Sequence, residues 1–150
     1  MSAQTHPAAN LFPLIEGADF GRLAADIQAR GQIEPITLMP DGAILDGRNR
    51  WRACERLGIK PITKIYSGND PLGYVISLNL HRRHLNESQR AMVAAKLATL
   101  PLGANQHAQI CAPSQLSAAE MLNVSRRTVQ AATKVRDQGT PELIAAVEQA

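Results

Sequence analysis

Three arginines stand two residues apart around a single tryptophan, in the stretch ILDGRNRWRAC of residues 44–54. Arg48, Arg50 and Arg52 directly follow Gly47. The helix dipole disfavours cations in a first turn, whereas the free N–H groups there attract anions. A glycine lets a ligand approach the backbone, and arginines fork onto phosphate oxygens. The stretch therefore predicts a site for an anionic group such as phosphate.

A second basic cluster lies in LSAAEMLNVSRRTVQAATKVR, residues 116–136. Ser117 with Glu120 matches a capping box, residues 123–124 break the helix, and Ser125 caps the next one. Two capped helices joined by a tight turn predict a helix-turn-helix. Arginine and glutamine on the outer face can form paired hydrogen bonds with guanine and adenine. The alternative is a structural hairpin with a solvated basic face. The predicted DNA-binding residues are Ser125, Arg126, Arg127, Thr128, Gln130 and Lys134.

Two further features favour simpler explanations. The pairs His81/His84 and His107/Cys111 have the spacing of zinc ligands, but one pair lies among arginines and the other in a predicted loop. Solvated or phosphate-facing histidines are therefore favoured over a metal site. Trp51 shares an apolar stripe with Leu57, so we expect it in the core.

Composition sets the class of protein. The chain has 150 residues, 45% hydrophobic and 3% aromatic, with a net charge of +3 and a pI near 9.2. Few aromatics favour a helix-rich chain, and the mild basicity fits a nucleic-acid partner. Two distant cysteines and the absence of a long apolar run argue against a disulfide framework, a signal peptide or a membrane span. We expect a soluble, cytoplasmic chain.

The elements that must position these residues follow from periodicity and from turn and cap signals. A hairpin turns at Pro40-Asp41-Gly42, and its second strand leads into the arginine helix. Asp70 can cap a helix that begins at Pro71. The predicted elements are a tail at 1–10, helices at 19–30, 47–57, 71–80 and 86–100, strands near 35–39, 43–45 and 62–66, a loop at 101–115, the two helices within 116–136, and a last helix at 140–150.

The motifs in this order resemble the ParB family of DNA-partition proteins, from about residue 11 to 136. The resemblance rests on DIQARGQIEPITL, the hairpin, GRNRWRA, NLHRRHLN and the helix-turn-helix. It implies an α+β fold, in which a small mixed sheet with helices, the ParB/sulfiredoxin-like domain, is followed by an all-α domain. The implied domains are a tail at 1–10, a nucleotide-binding domain at 11–85, and a DNA-binding domain at 86–150 with its helix-turn-helix at 117–136.

In that family, a GERRWRA-type motif and an ENxxR-type motif line a cytidine-triphosphate pocket. Gln32, Glu34 and Pro35 are expected beside the base or sugar, with a plain loop as the alternative. An N-cap is the favoured alternative for Asp46. The implied nucleotide-binding residues are Gln32, Glu34, Pro35, Asp46, Gly47, Arg48, Asn49, Arg50, Arg52, Asn79 and Arg82.

At two positions the chain departs from the family motifs, and both departures should affect hydrolysis more than binding. Asn49 and Leu78 stand where the family motifs carry glutamates that help to hold magnesium. We therefore expect CTP binding, with or without Mg²⁺, and weak or no hydrolysis, and we assign no catalytic residue and no protein ligand to a metal. A sulfiredoxin-type thiol mechanism is rejected, because Arg48 stands in the place of the nucleophile and Cys54 lies inside the helix.

The resemblance implies a nucleotide-dependent DNA clamp in plasmid, phage or chromosome partition. The implied partners are double-stranded DNA, a nucleoside triphosphate, a second copy in a homodimer and a partition ATPase, with the protein on the nucleoid or plasmid and not in a membrane. The alternatives are a sequence-specific transcriptional regulator without nucleotide binding and a ParB-like nuclease. Unpartnered apolar residues in the last helix suggest a fragment of a longer chain.

Overall fold

The computed structural model describes residues 4–82, 85–100 and 114–149, with side chains for 4–80, 85–100 and 114–148. The described residues form a small sheet and several helices, so the predicted α+β class is confirmed. None of these helices is long and apolar enough to cross a membrane. The elements are a 3-10 helix at Pro7–Leu11, strands β1 Ile36–Leu38, β2 Ile44–Asp46 and β3 Thr63–Ile65, and helices α1 Gly17–Arg30, α2 Arg48–Leu57, α3 Pro71–Arg82, α4 Glu87–Leu97, α5 Gln115–Met121, α6 Arg126–Gln138 and α7 Pro141–Gln149.

The chain divides into two units, which are described separately. Unit 1 comprises Met1–Asn10 and Leu14–Pro71, and unit 2 comprises Leu11–Pro13 and Leu72–Ala150. In this division α3 falls with the second unit, whereas the predicted nucleotide-binding domain, 11–85, includes it. The domain boundaries stay a prediction.

The sheet of unit 1 has the strand order β2-β1-β3. β1 pairs with β2 antiparallel and with β3 parallel. The predicted hairpin is present, since the Met39 N–H donates to the Ala43 carbonyl at 2.8 Å and Asp41 Oδ1 accepts from the Ala43 N–H at 2.9 Å. Parallel strands need a crossover connection, and α2 lies between β2 and β3 in the chain.

Residues 4–10 correct the predicted flexible tail. The Ile44 N–H donates to the Gln4 carbonyl at 2.8 Å, and the His6 N–H donates to the Ile44 carbonyl at 2.9 Å. The segment thus covers the outer edge of β2, whose backbone groups need partners. Ala8 and Ala9 are buried as well. A small, polar composition does not reveal such docking, because the hydrogen bonds come from the backbone.

Helices α1 and α2 enclose the apolar cluster of unit 1. Small residues, Ala53 and Cys54, are fully buried against Ala24 and Ile27. Trp51 is half-buried and is not part of this cluster, and its predicted core position stays a prediction.

The structure confirms two helix ends that the sequence predicted. α1 ends at Arg30 as predicted, and Gly31 follows with φ +78°. In unit 2, the capping box of Asn86 and Gln89 begins α4. α4 ends at Leu97, earlier than the predicted stop at Pro101. Most of the predicted loop, residues 101–113, lies outside the described residues.

The first turn of α4 is polar, whereas the residues from Ala91 to Ala95 are apolar and buried. α5 begins before the predicted capping box of Ser117 and Glu120. Its N-cap is Ser114, whose Oγ accepts from the Ser117 N–H at 3.2 Å, so that capping box is wrong. Ser125 caps α6 as predicted, accepting from the Thr128 N–H at 3.1 Å.

The junction between β2 and α2 requires a glycine. Gly47 has φ +98°, and a Cβ there would lie 3.1 Å from both Ile36 Cγ1 and Arg50 Nη2. We expect Gly47→Ala to lower the free energy of unfolding by about 1–3 kcal/mol, because a left-handed backbone strains any other residue. Denaturant unfolding checks this.

Gly21→Ala is the matched control. Gly21 lies inside α1 with open space around its Cβ position, so the substitution should raise the free energy of unfolding by about 0.5–1 kcal/mol. Equal effects of the two alanines would contradict the assigned conformation of Gly47.

Candidate functional site

The candidate anion site begins where α2 begins. Gly47 is the N-cap and has no side chain to accept from the first-turn N–H groups. The helical hydrogen bonds start with the Trp51 N–H, which donates to the Gly47 carbonyl at 2.9 Å. The N-cap predicted as an alternative for Asp46 is wrong, because that carboxylate pairs with Arg50 instead.

Arg50 is mostly buried, since its side chain is only 19% exposed. Its Nη2 donates to Asp46 Oδ2 at 3.1 Å and to the Pro35 carbonyl at 3.4 Å. Its Nη1 lies 3.6 Å from Glu34 Oε2. Arg50 therefore joins the loop before β1, the end of β2 and the first turn of α2.

Arg48 and Arg52 lie on either side of Arg50 in the sequence, and each donates a hydrogen bond to a neutral group. Arg48 Nη1 donates to Asn10 Oδ1 at 2.7 Å. Arg52 Nη1 donates to the Ile15 carbonyl at 3.2 Å, and its guanidinium lies 4.6 Å from the centre of the Phe20 ring. Both Arg52 contacts are with neutral groups, so its positive charge remains to attract an anion.

Asn49 points into the fold. It is 8% exposed, and its Oδ1 accepts from the Ile15 N–H at 3.1 Å. At the position where the family motif carries a glutamate, this chain therefore has an amide that holds the segment before α1.

Gln32 forms an unpredicted link between distant parts of unit 1. Its Nε2 donates to the carbonyls of Glu34 and Ile62 at 2.8 and 2.7 Å, and its Oε1 accepts from the Ile62 N–H at 2.8 Å. Cys54 Sγ also donates to this oxygen, at 3.4 Å. The amide therefore fixes the entry to β3. Glu34 and Pro35, in the adjacent loop, have the contacts to Arg50 given above.

Cys54 cannot act as an easily ionised thiol. Burial raises the pKa of this thiol above its usual value, and the nearby charge of Arg50 lowers it to a smaller extent. A raised pKa leaves little thiolate at neutral pH, and thiolate is the reactive form. The geometry therefore agrees with the rejection of a thiol mechanism.

The second predicted motif lies on α3, in unit 2. Asn79 Nδ2 donates to the Val75 carbonyl at 2.9 Å, one turn earlier in the same helix, and Leu78 is half-buried. Arg82 is the last residue of α3, and its side chain lies outside the described part of the chain. Whether Asn79 and Arg82 join the arginines of α2 in one site stays a prediction.

The zinc alternative also falls largely outside the described residues. His84, His107 and Cys111 are not described, and neither is the side chain of His81. Within the ranges that are described, no group of three or more His, Cys, Asp or Glu residues is placed to hold a metal ion.

Helices α5 and α6 meet at an apolar corner. The turn between them includes Asn123, with φ +50°, and the Val124 N–H donates to the Ala119 carbonyl at 3.0 Å. Val124 is half-buried. The fully packed positions match those predicted for the corner: Ala118, Ala119, Leu122, Val129 and Ala132.

The outer face of α6 is exposed and basic. Arg126 and Arg127 are exposed in its first turn, and an open groove without any acidic residue runs along the helix. The groove is lined by Gln115, Arg127, Gln130, Ala131, Thr133 and Lys134. Two predicted residues have internal partners instead: Ser125 caps the helix, and Thr128 Oγ1 donates to Glu87 Oε1 at 3.1 Å.

Arg136 positions α6, a role that was not predicted from the sequence. Its Nη1 donates to the Ala95 carbonyl and to Thr99 Oγ1, both at 2.7 Å. These bonds tie the last turn of α6 to the end of α4. In the sequence, Arg136 is simply another basic residue of an exposed helix.

Comparisons with known proteins agree with the motifs. No family model matches the chain. It is 33% identical over 81 residues to the probable chromosome-partitioning protein ParB of Coxiella burnetii (strain RSA 493 / Nine Mile phase I), a match that covers 50% of this chain and 28% of that protein. The match thus spans less than a third of the relative's length. The predicted resemblance to the ParB family is confirmed.

Among solved structures, the chain is similar to the C-terminally truncated chromosome-partitioning protein ParB from Caulobacter crescentus, complexed with CTP-gamma-S. The TM-score is 0.41 and the identity 21%, over 91% of this chain and 75% of that one.

The Arg50 pairs give a stability prediction. Asp46→Ala should lower the free energy of unfolding by about 3 kcal/mol, because it leaves a mostly buried guanidinium without its closer carboxylate. Glu34→Gln, at a side chain that is 59% exposed, should cost less than about 1 kcal/mol. Chemical denaturation of both variants measures the difference, and a loss at Glu34 as large as at Asp46 would contradict it.

Proposed function

We propose that this chain is a ParB-like DNA-binding protein that binds CTP and hydrolyses it weakly or not at all. The observation that carries the proposal is the basic, carboxylate-free groove of α6, on a helix held by a buried corner. Such a helix presents cations to phosphates and amides to base edges. A helix-turn-helix formed by α5 and α6 is the corresponding DNA-binding motif.

CTP is proposed as the ligand of unit 1, and fewer observations support this proposal than support DNA binding. Arg48, Arg52 and the first-turn N–H groups of α2 are the groups that would hold its phosphates. They fit an anion because a glycine starts the helix without a side-chain cap, and because the contacts of Arg52 are with a backbone carbonyl and an aromatic ring, both neutral. The structure related in fold was solved with CTP-gamma-S, and it is that protein whose ligand is known.

Weak hydrolysis follows from the residues that replace the two glutamates. Asn49 uses its amide oxygen to hold the Ile15 N–H, and Leu78 has no oxygen to offer. Magnesium would then rely on phosphates and water for its ligands. The proposed role is DNA partition of a plasmid, phage or chromosome, with double-stranded DNA, a second copy of the chain and a partition ATPase as partners in the cytoplasm.

A DNA-binding regulator without nucleotide is the second candidate, and one observation favours it. Of the three arginines, Arg50 already contacts two carboxylates, those of Asp46 and Glu34. Among these five side chains only one formal positive charge is in excess, which weakens the attraction for a triphosphate. CTP binding separates the two candidates.

DNA binding is tested at two positions of α6. On a duplex selected from random sequences by the parent chain, Gln130→Ala should relax the preference at one base pair by about 1–3 kcal/mol, through loss of paired hydrogen bonds. Lys134→Ala should weaken binding to all sequences alike. It should also reduce by about one the slope of log affinity against log salt concentration. Fluorescence anisotropy at several salt concentrations measures both effects.

The control for these variants is Lys60→Ala, an exposed lysine in unit 1. It should leave affinity, preference and salt slope at the parent values. If the variant with both α6 substitutions bound the selected duplex as tightly as Lys60→Ala, α6 would not be the recognition helix.

Nucleotide binding is tested by Arg48→Ala, with Arg22→Ala as the control for an exposed arginine of the same unit. Arg48→Ala should weaken CTP binding at least about tenfold, since a charge-assisted hydrogen bond to phosphate is lost. Calorimetry measures the affinity, and a phosphate-release assay of the parent should stay near background. Leu78→Glu, which restores a carboxylate, should raise that release.

Three results would count against this part of the proposal. Robust hydrolysis by the parent would contradict the argument from the missing carboxylates. Equal affinity of the Arg48 and Arg22 variants would place the phosphates elsewhere. Absence of CTP binding, with or without DNA, would favour the regulator.

A further inference from the structure

Two arginines of α2 lie against the same aromatic ring. The guanidinium of Arg52 lies 4.6 Å from the centre of the Phe20 ring, and the guanidinium of Arg56 lies 5.8 Å from it. Phe20 belongs to α1 and packs against the apolar cluster of unit 1. The ring is therefore a fixed support, and cation–π attraction holds both guanidinium groups beside it where α1 meets α2.

Neither Arg52 nor Arg56 forms an ion pair within the described part of the chain. Arg52 donates to the Ile15 carbonyl, and the other contact of both arginines is the aromatic ring. Asp19, in the first turn of α1, pairs with Arg22 instead. Like charges that are four residues apart on a helix repel each other. Local contacts thus leave a repulsion between Arg52 and Arg56 that a bound anion would remove.

The arginines of α2 form a row along one side of the helix. Arg48, Arg52 and Arg56 follow each other at intervals of four residues. They therefore share one face of the helix, with about 6 Å along the axis from each to the next. Such a row matches a ligand that carries several phosphates better than a ligand with a single charge, because each guanidinium can take a separate group.

We propose that Arg52 and Arg56 form a phosphate-binding site beside Phe20, which extends the positive surface past the beginning of α2. A guanidinium that stacks on a ring keeps its N–H donors in its own plane, where they can fork onto phosphate oxygens. The phosphate can come from a nucleic-acid backbone or from a nucleotide, since both present the same group. Arg52 is shared with the proposed CTP site, so the nucleotide case rests on the proposed function. The test is therefore made at Arg56, which is exposed and lies outside the predicted nucleotide-binding residues.

The test measures the affinity of the full chain for two probes, CTP and a duplex that lacks the sequence selected by the parent. Arg56→Ala should weaken the binding of at least one probe about threefold or more, through loss of an exposed charge pair. On the duplex it should also reduce by about one the slope of log affinity against log salt concentration. Calorimetry measures CTP binding, and fluorescence anisotropy measures duplex binding.

The two probes identify the source of the phosphate. Weaker binding of the duplex with unchanged binding of CTP would assign the site to a nucleic-acid backbone. Weaker binding of CTP with unchanged binding of the duplex would assign it to the nucleotide. Losses on both probes would show that one site serves both.

Arg22→Ala is the matched control, since it removes one positive charge from an exposed arginine of the same unit. Arg22 is paired with Asp19, so both affinities should stay at the parent values. Arg56→Lys keeps the charge without the planar fork and should bind with intermediate affinity. Phe20→Leu keeps an apolar side chain on the cluster and the same net charge. It should weaken binding because both guanidinium groups lose their support.

Denaturant unfolding shows whether each variant is folded under the conditions of the binding assay, and Arg56→Lys carries the test if Arg56→Ala is not. If Arg56→Ala bound both probes as tightly as Arg22→Ala, the proposal would be overturned, and Arg56 would serve only the stability of α2. A parent that bound neither probe would overturn it as well. The variants of α6 and of Arg48 test the proposed function separately, so a failure at Arg56 alone would leave that function standing.

Discussion

The guanidinium of Arg50 is the group on which the architecture of unit 1 depends. It is mostly buried, and a buried charge is tolerated only when it is paired and hydrogen-bonded. Asp46, Glu34 and the Pro35 carbonyl supply those partners, at the end of β2 and in the loop before β1. The pairing links the first turn of α2 to the end of β2 and to the loop before β1.

Because of the same pairing, the three arginines have different roles. Arg50 serves the fold, while Arg52 contacts a backbone carbonyl and an aromatic ring and keeps its charge for an anion. On α6 the division is similar: Arg136 anchors the helix, whereas Arg127 and Lys134 line an open groove. In both units, a basic residue tied to internal oxygens positions a helix. Sequence spacing alone does not separate these two kinds of cation.

Features set by local chemistry were predictable from the sequence. The stop of α1 before Gly31, the hairpin turn at Asp41 and the capping box of Asn86 need only neighbouring residues, and all three are present. Features set by distant partners were not predictable. The side chain of Gln32 bonds to Ile62, 30 positions later, and residues 4–6 pair with β2 through backbone groups that every sequence possesses. In the candidate site, the arginines were found by type and spacing, but their partners required the fold.

The central claim is that one chain binds both CTP and DNA. The most direct test is a calorimetric titration of CTP into the full chain, alone and saturated with a duplex selected by the parent. The account predicts saturable binding of CTP, with an affinity that differs between the two titrations, because linked sites change each other's affinity reciprocally. No binding of CTP in either titration would contradict this claim. Equal CTP affinities in both titrations would contradict a nucleotide-dependent clamp and would indicate two independent sites.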